Sequence, residues 1–190
     1  MTVSLYLAGE PGVGRSTLMG ELLTGWTMHP AVRLRGGLRG EPFGTPDRVE
    51  GVHLGVRGGP FSGTDQLPAS ALSDGVAWAH LTRALPRFVF GEGSRLAHSR
   101  FLTALADRGP LLYVYLTAPE DVCARRRTEQ AVALGRPPFP NGAAVAVRAR
   151  AKHLARLCTV IPGATVISVD TNRLNPSQAA DAVRRILEAL

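Results

Sequence analysis

Three observations predict an α/β fold whose parallel sheet carries helices on both faces. Short apolar, partly β-branched runs alternate with segments of helical spacing along nearly the whole chain. A glycine-rich turn lies between the first such run and the first helical segment. Each polar cluster able to carry chemistry follows the end of a predicted strand, where ligands of such sheets bind. With 190 residues, the chain suits one domain spanning 1–190.

The elements follow in order. Residues 3–8 are apolar and end in glycine, a buried strand. Leu18, Leu22 and Leu23 recur near helical spacing, so 16–26 reads as a helix. Residues 31–35 make a second strand. From 36 to 68 the chain is dense in Gly and Pro and reads as a long functional loop. A helix over 69–85 ends at Pro86, and a strand over 87–90 runs into Gly91-Glu92-Gly93. A helix over 96–106 stops near Gly109-Pro110, before the clearest strand, 111–117. Pro119 opens a helix to 134, with Glu120 and Asp121 complementing the dipole of its first turn. A proline-rich break at 136–141 precedes a basic helix over 143–158. A strand at 165–169 and a helix over 176–190 close the chain. The expected sheet thus has five parallel strands.

The first turn and its helix start read Gly9-Glu10-Pro11-Gly12-Val13-Gly14-Arg15-Ser16-Thr17. The spacing is that of a phosphate-binding loop, G-x-x-x-x-G-K-[ST], in its strand–loop–helix setting. Glycines let successive N–H groups turn toward a phosphate, and the helix N-terminus adds partial positive charge. Ser16 supplies a hydroxyl for Mg²⁺, and Thr17 caps or packs. Arg15 stands where the pattern has lysine. Its charge is kept, but a planar fork replaces a point charge. Two readings stand: a site adjusted to a guanidinium, or a weakened one that binds nucleotide without turnover. The chain's 22 basic residues include one lysine, Lys152, so arginine replaces lysine throughout and not at this loop alone.

Glu92, at a strand tip beside the first strand, can orient Mg²⁺ and its waters. Arg95 can clamp an acceptor phosphate. In the long loop, Asp65 can accept a hydroxyl proton, or it and Thr64 can cap the next helix. Phe61 offers a stacking face and Arg57 a phosphate contact. Arg125, Arg126, Arg127 and Arg136 lie over 125–150, a plausible lid whose closure would bring arginine to the γ-phosphate. Arg148, Arg150, Lys152 and Arg156 make the following helix basic, to line the same site or meet a nucleic-acid backbone.

Composition narrows the class. With 45% hydrophobic and 19% charged residues the chain is globular, not disordered. No apolar run approaches the roughly 20 residues of a membrane span, and the start lacks signal-peptide features, so a cytoplasmic protein is expected. Cys123 and Cys158 are far apart and match no metal spacing. The net charge of +7 fits an anionic partner, nucleotide or DNA, or compositional drift.

The order of loop 9–17, the Glu92 strand end and the arginine helix after strand 111–117 resembles the P-loop kinases of the nucleoside-monophosphate-kinase type. The stretches Phe61-Ser62-Gly63-Thr64-Asp65-Gln66-Leu67 and Gly91-Glu92-Gly93-Ser94-Arg95-Leu96 are similar to a phage group of small P-loop kinases, some of which phosphorylate 5-hydroxymethyluracil within DNA. The resemblance implies a P-loop NTPase three-layer sandwich with a helical lid. It implies ATP and Mg²⁺ as cofactors, a host-cell cytoplasmic setting, and as acceptor a hydroxyl in DNA or on a free nucleoside, or the phosphate of a nucleoside monophosphate. Catalysis is expected from Arg15, Asp65, Glu92, Arg127 and Arg136. The acceptor would be bound by Arg57, Phe61, Thr64, Asp65 and Arg95, and the metal by Ser16 and Glu92.

Overall fold

A computed structural model describes residues 1–58, 62–135 and 143–190, with the backbone alone for 143–148 and 150. In chain order the elements are β1 (Val3–Ala8), α1 (Arg15–Leu22), β2 (Thr27–Met28), β3 (Val32–Arg33), β4 (Arg39–Thr45) and β5 (Arg48–Leu54). Then come α2 (Ala71–Leu81), β6 (Phe88–Glu92), α3 (Ser99–Ala106), β7 (Leu111–Thr117), α4 (Glu120–Ala133), α5 (Ala143–Leu157), β8 (Ala164–Asp170) and α6 (Pro176–Glu188).

The sheet corrects the five-stranded parallel expectation. It is mixed and has eight strands in the order β2-β4-β5-β6-β1-β7-β8, with β3 also on β4. Neighbours from β5 to β8 run parallel, whereas β4 is antiparallel to β5, and β2 and β3 to β4. Residues 31–35 contribute only the two-residue edge strand β3. The parallel strand beside the antiparallel part is β5, from within the supposed long loop.

Glycine disguised that hairpin. A Cβ on Gly51 would strike the ring of Phe43, which crosses it from β4, and one on Gly44 would strike the Arg48 carbonyl oxygen at the bulge. These glycines admit a close cross-strand approach. Pro46-Asp47 turns the chain between the two strands.

Alternation along the central strands builds two cores. Tyr6 and Ala8 of β1, with Tyr113 of β7, pack under Trp78, Phe101, Leu102 and Leu154. Leu5, Leu7, Leu112 and Val114 face the other way, under Leu18, Met19, Ala180 and Val183. A three-layer arrangement results, and it leaves the carboxyl ends of β1, β5 and β6 open for chemistry. Among the described residues, no helix is long and apolar enough to cross a membrane.

α6 begins with a capping box: the Asn175 side chain accepts from the Gln178 N–H at 2.9 Å, and the Gln178 side chain accepts from the Asn175 N–H at 3.2 Å. Asn175→Ala is therefore expected to cost about 1 kcal/mol and lower the melting temperature by roughly 2–4 °C, read by calorimetry.

Candidate active site

β1 delivers the chain into the glycine loop at the carboxyl edge of the sheet. Gly9, Gly12 and Gly14 have φ of 151°, 86° and 96°. Gly14 is the N-cap of α1 in the left-handed conformation, without a side-chain cap, so the first N–H groups of the helix are left for a ligand.

The loop's carbonyls are tied down from behind. The Glu10 carbonyl accepts from the Val13 N–H at 3.2 Å. The Pro11 carbonyl accepts from Arg127 Nη1 at 3.0 Å, and the Val13 carbonyl from Thr171 Oγ1 at 2.8 Å. Arg126 in turn donates to Thr171 Oγ1 and to the Thr171 carbonyl, both at 3.1 Å. A planar peptide points its N–H opposite to its C=O. Holding the Pro11 and Val13 carbonyls outward therefore turns the Gly12 and Gly14 N–H groups the other way, the arrangement of an anion nest.

Arg15 reaches across to the acceptor side. Its Nη2 donates to Asp65 Oδ2 at 3.2 Å, and the two side chains are only 13% and 19% exposed. Asp65 Oδ1 accepts from the Ser94 N–H at 2.7 Å and the Ser94 hydroxyl at 2.8 Å. Asp65 thus links the loop to the turn after β6. It lies in a 3-10 turn, Thr64–Gln66, whose chain entry at Gly63 has a positive φ of 60°. Arg15 Nη1 is buried and has no hydrogen-bond partner among the described residues. The guanidinium therefore has one arm fixed and one arm available.

Thr64 is fully buried. Its hydroxyl donates to the Glu92 carbonyl at 2.8 Å and lies 3.0 Å from the Tyr6 hydroxyl, which also donates to the Gly93 carbonyl at 3.3 Å. Burial pushes the Tyr6 phenol well above its ordinary value, so it serves as a neutral donor. Tyr6 and Thr64 thereby pin the Asp65 turn onto the end of β6.

Glu92 is 1% exposed. Its Oε1 accepts from the Ser62 hydroxyl at 2.8 Å and lies 3.9 Å from His53 Nε2. The other face of His53 meets Glu41, with Nδ1 at 3.6 Å from Oε2. Glu41 Oε2 also accepts from the Arg57 N–H at 3.1 Å and Arg57 Nε at 3.0 Å. Burial works to raise the Glu41 carboxyl, but the His53 ring and the Arg57 side chain and N–H outweigh it and hold the group below its ordinary value.

The structure brings together Arg15, Asp65 and Ser94, and beside them Glu92, Ser62 and His53. Arg127 packs behind the loop, and Arg125 turns outward to Glu129 at 3.7 Å. Ser16 and Thr17 are exposed at the start of α1. Arg95 is exposed, with no hydrogen bond or ion pair to a described residue. Lys152 and Arg156 are exposed on α5. Phe61 and Arg136 lie outside the described residues, as do the side chains of Arg148 and Arg150. The expected roles gave no part to Tyr6, Glu41, His53, Ser62, Ser94 or Thr171. The run Val52-His53-Leu54 carried a signal for one of them: a polar ring in an apolar stretch just before Gly55, visible once β5 is taken as a strand.

An oxygen donor set suits Mg²⁺, which keeps several waters and takes one or two side-chain oxygens besides phosphates. The Ser16 hydroxyl is exposed, and Glu92 Oε2 makes no hydrogen bond to a described residue, so both fit the ion. No group of three or more His, Cys, Asp or Glu side chains able to hold a metal is found among the described residues.

Comparison with known proteins supports the same architecture. An unliganded sugar kinase from a Janibacter species is similar in fold, with a TM-score of 0.51 and 15% sequence identity over 99% of this chain and 95% of that one. No curated protein matches the chain significantly. The family model described as P-loop Nucleotide Kinase3 matches residues 1–187. With the glycine loop, its cation and the strand-end carboxylates on one edge of the sheet, the chain is a kinase and belongs to the P-loop Nucleotide Kinase3 family.

Proposed function

We propose that the protein transfers the γ-phosphoryl group of a nucleoside triphosphate, ATP in the first place, to the hydroxymethyl group of a modified pyrimidine, 5-hydroxymethyluracil, in DNA. The observation that carries hydroxyl phosphorylation is Asp65, held between the loop cation Arg15 and Ser94. Its oxygens accept three hydrogen bonds, so a lone pair on Oδ2 remains to orient an acceptor hydroxyl. Little more is required of a base where the transition state is loose and positioning dominates.

In this mechanism the amides of residues 10–16 and the free arm of Arg15 hold the β- and γ-phosphates. Ser16 and Glu92 hold Mg²⁺, which when bound neutralises charge on the phosphate oxygens. Arg127, with Nη1 on the Pro11 carbonyl, holds the loop from behind so that its amides face the phosphates, and Arg136 would supply the charge at the transferring group. Arg57, Arg95 and Phe61 would bind the acceptor. The choice of DNA rests on the likeness of residues 61–67 and 91–96 to the phage kinases and on the +7 charge. A second reading, a free nucleoside or nucleotide as acceptor, is favoured by the family description.

One assay separates them. The protein is incubated with labelled ATP, Mg²⁺ and, in parallel, duplex DNA bearing 5-hydroxymethyluracil, unmodified DNA, free nucleosides and nucleoside monophosphates. Label on the modified DNA alone is the expected result. Label confined to the small acceptors overturns the DNA assignment.

A further inference from the structure

We propose that His53 is a positioning residue that sets the carboxylate of Glu92 for its metal, an inference that rests on Glu92 holding Mg²⁺. His53 is 0% exposed, and neither ring nitrogen has a hydrogen-bond partner among the described residues. Burying a polar ring this way is unfavourable unless the surroundings compensate. Its neighbours in β5, Val52 and Leu54, point to the opposite face and join the core around Tyr6 and Trp78. What distinguishes position 53 is a carboxylate at each end of the ring, Glu41 from β4 and Glu92 from the end of β6.

The ring is a spacer and a dipole between two like charges. Without it, Glu41 and Glu92 would face each other across a dry gap, where repulsion is poorly screened. Glu41 is anchored on its far side by Arg57, so it cannot swing away freely. Glu92 is the member of the row with freedom to respond. Its Oε1 is claimed by the Ser62 hydroxyl and faced by His53 Nε2, whereas Oε2 has no partner among the described residues. One oxygen is gripped so that the other is presented, as outer partners do for ligating carboxylates generally. The row Arg57–Glu41–His53–Glu92 also ties the acceptor side of the site to the metal side.

The test uses Mn²⁺ as a paramagnetic probe, bound to the full chain with ADP and followed by electron paramagnetic resonance, alongside steady-state kinetics. His53→Leu is expected to weaken Mn²⁺ about tenfold and to lower kcat by a similar factor, with KM for the acceptor unchanged. His53→Gln, which keeps a donor, is expected to recover most of both. A folded His53→Leu protein with Mn²⁺ affinity and kcat within about twofold of the parent would overturn the proposal. Should His53→Leu not fold, His53→Phe, which keeps a ring without its nitrogens, decides: Mn²⁺ about tenfold weaker than in His53→Gln supports it, and equal affinity in the two overturns it. Glu92→Gln separates the two levels. If it leaves Mn²⁺ binding intact, the metal role of Glu92 falls and the proposal with it. If it abolishes binding while His53→Leu does not, only the positioning role falls.

Discussion

Arg15→Ala is expected to lower kcat/KM by roughly a thousandfold, about 4 kcal/mol of transition-state stabilisation. Arg15 is the only cation in the glycine loop, and the surrounding amides carry only partial charges. Arg15→Lys is the sharper experiment. If the guanidinium were a handicap left by drift, lysine would speed the enzyme. The geometry predicts a fall of about tenfold, because Arg15 engages Asp65 with Nη2 and keeps for phosphate a buried Nη1 that has no partner among the described residues. A single ammonium on a shorter stem has three donors but lacks the fixed fork that lets one guanidinium arm hold Asp65 while the other reaches phosphate. Steady-state kinetics with nucleotide titrations check the sign. A double-mutant cycle with Asp65→Asn adds the mechanism: Asp65→Asn lowers kcat beside either residue, and a coupling between positions 15 and 65 accompanies arginine and not lysine. A faster Arg15→Lys enzyme would refute the two-armed role.

Gly12→Ala is expected to abolish nucleotide binding and to destabilise the fold by about 3 kcal/mol, a drop of roughly 6–12 °C in melting temperature at this chain length. Gly12 has φ of 86°, where a side chain is strained, and a Cβ there would strike the Cys123 carbonyl oxygen and lie 3.0 Å from Arg127 Cγ. The helix behind the loop is packed against bare backbone. Gly20, in the middle of α1, is the control. A Cβ there meets nothing within 4 Å, so Gly20→Ala removes a weak helix former and raises stability by roughly 0.5–1 kcal/mol. Parallel thermal melts with and without nucleotide distinguish the two. Equal behaviour of both variants would mean that the loop is not held as described.

What could be read from the chain followed the strength of its local signals. β1 and β7 are continuous apolar runs, buried on both faces, and their pattern needs no partner to be seen. The glycine loop is legible because its conformation is written in consecutive residues. The β4–β5 hairpin is the opposite case. Gly44 and Gly51 look like loop punctuation until Phe43 is known to lie across Gly51, a fact about two strands at once. Losing β5 hid His53, whose chemistry exists only next to Glu41 and Glu92. Asp65 was singled out by its residue type, but its partner Arg15 is 50 positions away. The helix cap at Ser70, by contrast, makes no side-chain cap bond, so the capping reading of this stretch finds no support at Thr64 or Asp65 either, whose side chains bond Glu92, Arg15 and Ser94.

The tether from Thr171 to the Val13 carbonyl spans 158 positions. A ribosome makes the glycine loop 158 positions before Thr171. The nascent loop therefore waits for this part of its rear support while the residues between are made, and α6, whose Ser177 and Arg184 bond Glu21 of α1, comes later still. A ligand stabilises only the form that binds it. Cellular nucleotide can then do little to guide the growing chain. It acts afterwards, as a latch on a domain in which Thr171 and α6 have already met the loop and α1.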